Sequence, residues 1–148
     1  MKNKHALLLI IIFLLAFTGC SREEEVMVEE TPPSPGKETG VVYGYLVSSE
    51  NEPVSETIYL AQDIAHDQPD LPITVSFSLQ SDPRGKVNVE TGFFYFDEVE
   101  PRENYVIAVL AGAAEPVFIL EEGTEVPLVI EVEAGEAVDL GTLIVDLY

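Results

Sequence analysis

Few residues in this chain are equipped for bond-making chemistry, and their types narrow the field quickly. There is one cysteine, Cys20, and two histidines, His5 and His66. A single imidazole without a neighbouring Ser or Cys partner makes no nucleophilic triad, and a zinc protease needs a pair such as H-E-x-x-H, which does not occur. No glycine-rich phosphate loop is present. Adjacent carboxylates such as Glu121 and Glu122 carry no weight as glycosidase machinery without a cleft. The chain is therefore expected not to be an enzyme. What remains is metal binding: Asp63, Asp67 and Asp70, with His66 among them, offer hard oxygen ligands of the kind calcium takes. Their spacing is not that of an EF-hand, and Pro69 and Pro72 fit a plain solvated loop equally well.

Cys20 belongs to a different chemistry. Lys2 and Lys4 precede an unbroken apolar run from Ala6 to Phe17. Twelve residues are too few to span a bilayer, which takes about 20, but they suit the apolar region of a signal peptide over 1–19. The run closes on Phe17-Thr18-Gly19-Cys20, which resembles the lipobox of bacterial lipoproteins. That resemblance implies cleavage before Cys20, a diacylglycerol on its thiol, and anchorage to a membrane of the bacterial cell envelope, on the extracytoplasmic side. An ordinary secretory signal is the competing reading. With no second cysteine, no intrachain disulfide supports the exported fold.

Residues 20–39 form an acidic, Pro-rich tether. Ser21 to Thr39 holds three prolines and six acids with little apolar material, too little to offset ordering entropy, so a disordered linker is expected. Charge is lopsided throughout: 27 acidic against 7 basic residues, net −20, with every acid after Gly19. Such a balance excludes nucleic acid, whose phosphates require a basic footprint, and disfavours lying flat on anionic lipid.

From Gly40 onward, strand signals alternate with turns. Gly92 to Leu110 organises them: Phe94 and Phe96 alternate as in a half-buried strand, Pro101 breaks the run, and Tyr105, Ile107 and Val109 resume the period of two. Val41 to Val47, Thr57 to Ala61, Ile73 to Leu79, Pro116 to Leu120, Val126 to Val132 and Val138 to Leu147 are further expected strands. In the third, Ile73, Val75, Phe77 and Leu79 are expected inward. No stretch carries a helical period, so 40–148 is expected to be all-β, a small Greek-key β-sandwich with Val42, Leu46, Ile58, Leu60, Phe94, Phe96, Tyr105, Ile107 and Val109 inside.

The stretches VVYGYLVSSENEPVSETIYLA and GFFYFDEVEPRENYVIAV resemble the carboxypeptidase regulatory-like domain, of prealbumin-like (transthyretin-like) and immunoglobulin-like sandwich form. Val132-Glu133-Ala134-Gly135 and Asp139-Leu140-Gly141 resemble that family's ending. The resemblance covers Gly40 to Tyr148 and implies a non-catalytic accessory module. It also implies that the first, second and organising strands share one sheet.

Period two then sends Tyr43, Tyr45, Tyr59, Phe93 and Tyr95 outward, as one aromatic patch extended by Val106 and Ala108, unless the long Gln62 to Lys86 segment covers it. The expected function is a lipid-anchored, extracytoplasmic module binding a protein or glycan partner through this face. A calcium-binding accessory domain and a purely structural spacer are the alternatives. Replacing Cys20 by Ser should leave an uncleaved or soluble form in membrane fractionation; a variant processed and sedimenting like the parent would defeat the lipoprotein reading.

Overall fold

The computed structural model describes residues 30–68, 70–112 and 115–147. The expected signal peptide, Cys20 and the first part of the expected tether lie outside the described residues. Among the described residues there are nine strands: β1 Gly40–Val47, β2 Thr57–Asp63, β3 Val75–Ser76, β4 Lys86–Val87, β5 Phe93–Val99, β6 Arg102–Leu110, β7 Val117–Phe118, β8 Val129–Val132 and β9 Ala137–Ile144. They build two packed sheets, and the fold is an all-β sandwich. The first sheet runs β4-β5-β1-β9. The second runs β3-β2-β6, and β7 and β8 share the far edge of β6.

β1 is the pivot of the first sheet. It pairs antiparallel with β5, Tyr43 opposite Tyr95 and Tyr45 opposite Phe93, and parallel with β9. Both of its edges are therefore taken, and β2 pairs instead with β6, Leu60 opposite Ile107. This corrects the expectation that the strands at 41–47, 57–61 and 93–99 share a sheet. Alternation tells which residues share a face of one strand, but not which sheet the strand joins.

All nine expected core residues are buried in one cluster, joined by Val54, Val99, Ile119, Ile130, Val132 and Val145. Phe94 and Phe96 pack edge to face at 6.1 Å in its centre. A bulge protects this core. Alternation from Phe96 would turn Glu98 inward, but Glu98 takes φ 53° and β5 gains a residue against β1. Val99 is buried in its place and the carboxylate stays exposed.

The strand expected at Ile73 to Leu79 shrinks to the two residues of β3. Its side chains do not enter the main core: Val75 and Phe77 pack on the opposite face of the second sheet, and Leu79 is exposed. Here the segment between β2 and β4 returns along β2, with Leu60 N donating to Pro83 O and Gly85 N to Ile58 O, both at 2.9 Å. β4 itself was not anticipated.

The acidic corner between β5 and β6 is tied by a phenol. The Tyr105 hydroxyl donates to the carbonyl of Glu100 at 3.0 Å across the turn, an arrangement like the tyrosine corners of other sandwiches. Burial pushes the Tyr105 phenol above its ordinary value of 10.0, with Arg102 pulling the other way. A folded value above the unfolded one means this stabilisation is intact below about pH 10 and is lost as pH climbs through the folded value. Tyr105→Phe should cost about 1 kcal/mol at neutral pH, lowering Tm by about 5 °C. Thermal melts from pH 7 to 11 should show the gap from wild type closing at the alkaline end; a constant gap would contradict the assignment.

Candidate functional site

The outer face of the first sheet carries a compact aromatic group. On β1, Tyr43 and Tyr45 project outward on either side of Gly44; on β5, Phe93 and Tyr95 do the same. Register brings them together, and Phe93 sits in the middle: its ring centroid lies 6.5 Å from Tyr43, 5.4 Å from Tyr45 and 6.3 Å from Tyr95. Phe93 is only 2% exposed, whereas the three tyrosines are half-buried. The ring without a hydroxyl is thus hidden, and the rings with hydroxyls form the surface. Tilted and edge-to-face contacts of this kind stiffen a cross-strand cluster.

Charged groups flank the rings. Lys86 on β4 lies opposite Tyr95, its Nζ 5.1 Å from that ring and 2.7 Å from the Asp97 carboxylate. The bond to Asp97 raises the Lys86 pKa above its ordinary value. On the other side, Asp139 of β9 is the register partner of Tyr43, whose phenol is raised by burial first and by Asp139 second. Lys86, Asp97 and Asp139 were missed by sequence reasoning. Alternation along β5 hinted at Asp97, but pairing with β4 and β9 was not legible.

Tyr59 is not part of this group. It lies on the outer face of the second sheet, 9% exposed, with Ala61 and Ala108 and against Val75, Phe77, Leu110 and Phe118. Its ring meets Phe77 edge to face at 5.5 Å. Val106 and Ala108 are buried on the same sheet. The expected single patch is therefore two faces: the one bearing Tyr59 is covered by the segment after β2, and the one bearing Tyr43, Tyr45, Phe93 and Tyr95 leaves its three tyrosines partly exposed.

The acidic loop has a structural use. Asp63 is 4% exposed, and its Oδ1 accepts from the amides of Ala65 at 3.0 Å and Thr74 at 2.9 Å. Asn104 Nδ2 donates to the Asp63 carbonyl at 2.8 Å, pinning the loop to β6. Asp67 and Asp70 are exposed, and His66 Nε2 lies 3.6 Å from Glu103 rather than among the aspartates. Among the described residues, no three His, Cys, Asp or Glu side chains converge to hold a metal ion. The expected set Asp63, Asp67 and Asp70 is thus not assembled, because Asp63 turns to its own backbone. Asp63→Ala should leave the buried amide of Ala65 without a partner and free the part-buried amide of Thr74, at about 1–3 kcal/mol, most of it from Ala65. Amide exchange at Ala65 and Thr74 should then rise well above that of the β1 amides; unchanged protection there would refute the clamp.

Compared with known proteins, the chain matches no family model, no curated protein and no solved structure.

Proposed function

We propose that this chain is a non-catalytic, lipid-anchored module of the bacterial cell envelope that binds a partner outside the cytoplasm through the tyrosine face of its first sheet. The observation that carries the reading is the arrangement of Tyr43, Tyr45 and Tyr95, each partly exposed, around a buried Phe93, while Tyr59 on the opposite outer face is buried. The Ala6 to Cys20 stretch and the resemblance of 40–148 to accessory domains support the anchorage and the non-catalytic role.

Of the two partner classes, a neutral glycan suits this face better than an apolar protein surface. Partly exposed tyrosines offer both a ring edge for sugar C–H groups and a hydroxyl for sugar hydroxyls. Lys86, Asp97 and Asp139 add hydrogen-bonding groups at the margins. The net charge of −20 opposes anionic polymers.

The test is the paired substitution Tyr45→Ser and Tyr95→Ser in the full chain. Both rings are partly buried against Phe93, so the melt should fall by several degrees but stay cooperative. Retention on insoluble neutral polysaccharide from the native envelope should fall at least about tenfold, the effect of losing roughly 1.4 kcal/mol of stacking. Equal retention of variant and wild type would sink the proposal. Capture of an envelope protein, with no glycan retention, would transfer the face to a protein partner.

A further inference from the structure

A second feature lies on the side of the sandwich where the sheets part. β9 pairs with β1 alone among the described residues, so it forms one edge of the first sheet. Facing it is the hairpin between β7 and β8, closed by Leu128 N donating to Ile119 O and Glu121 N to Val126 O, both at 2.9 Å. Between the two runs a groove of about 550 Å³. Leu120 and Leu128 from the hairpin line it, as do Leu140 and Leu143 from β9, and Glu121 and Glu122 stand on its lip.

The backbone of β9 adds directionality to this apolar floor. At its two ends, Val41 N donates to Glu136 O at 2.8 Å and Val145 N donates to Val47 O at 2.9 Å. Alternation of a parallel ladder then leaves the amides and carbonyls of Thr142 and Ile144 directed away from β1. Both residues line the groove, and Ile144 is 63% exposed. The bulge at Gly141 (φ 63°), preceded by the charge of Asp139, confines free pairing to this short stretch. On the lip, neither Glu121 nor Glu122 has an ion-pair partner among the described residues.

We propose that this groove binds a short extended segment of a partner protein, alternating apolar and basic residues, which adds as a strand to β9. Its main chain pairs with Thr142 and Ile144, its apolar side chains settle on Leu120, Leu128, Leu140 and Leu143, and its basic residues meet Glu121 and Glu122. Strand addition draws affinity from main-chain bonds and specificity from alternate side chains. Charge selects the occupant: a second copy of this chain, itself at −20, is repelled from an acidic lip. The site adjoins the tyrosine face, since Thr142 is the register partner of Tyr45, but its leucine floor and acidic lip are not part of that face.

The probe is a labelled seven-residue peptide alternating lysine with valine or leucine, titrated by fluorescence anisotropy into the full chain in detergent. Controls carry glutamate for lysine, or an N-methylated backbone. Saturable binding of the lysine peptide is expected, with neither control binding and with slowed exchange of the Thr142 and Ile144 amides. The double variant Glu121→Lys/Glu122→Lys, at exposed positions, should bind about fivefold more weakly. Tyr95→Ser alone, on β5 and not paired with β9, should bind normally, so failure here is distinct from failure of the tyrosine face. No saturation at millimolar peptide, equal binding of the glutamate peptide, or protection elsewhere than β9 would each overturn the proposal. Concentration-dependent dimerisation through β9 would also overturn it, by assigning the edge to a second copy.

Discussion

The close approach of β9 to β1 at Gly44 is the contact on which the first sheet depends. A methyl group at that position would lie 2.6 Å from the Gly141 carbonyl oxygen and 3.3 Å from two carbons of the Phe94 ring. Gly44 has room only because it lacks a side chain, and Gly141 supplies the left-handed residue at which β9 gains its extra position. With β9 seated there, both edges of β1 are consumed. β2 must pair with β6 in the opposing sheet, and Tyr43 and Tyr45 are held outward on either side of the glycine.

The two outer faces that result are treated differently. The second sheet buries Tyr59, Ala61 and Ala108 under Val75, Phe77, Leu110 and Phe118, which makes a second small apolar layer outside the main core. The first sheet leaves its tyrosines partly exposed, and it limits its apolar exposure from within: Phe93 is enclosed by three tyrosines, and Lys86 bridges Tyr95 to Asp97. A cluster stiffened in this way loses little side-chain freedom when a partner settles on it. This is the physical basis for reading it as a binding surface rather than as misplaced core.

Acidity is managed with equal economy. Among the described residues Asp63 is the only buried charged side chain, and two amides meet it. Glu98 is kept out of the core by a bulge, and no buried side-chain polar atom among the described residues lacks a partner. The remaining carboxylates stay in water, where mutual repulsion is screened. A domain without disulfides can carry such a charge only if its core is left undisturbed, and the closed cluster around Phe94, Phe96 and Tyr105 meets that condition.

What the sequence determined by itself was periodicity. Alternation at Val42 and Leu46, Ile58 and Leu60, Phe94 and Phe96, and Tyr105 through Val109 was enough to specify an all-β domain and the side chains in its centre, because burial on one face leaves a period-two mark. The same mark identified Tyr43, Tyr45, Phe93 and Tyr95 as facing away from that centre. Pairing left no mark. That β2 would leave its predecessor's sheet, that Tyr59 would be covered and Tyr45 left open, and that Asp63 would spend its carboxylate on Ala65 and Thr74 were decided by contacts between residues far apart in the chain. The apolar 73–79 stretch shows why. Its alternation holds only for Val75 and Phe77, which meet the outside of a sheet rather than the inside, while Leu79 is exposed. A single strand's pattern reports that it is covered on one side; only the assembled fold determines by what.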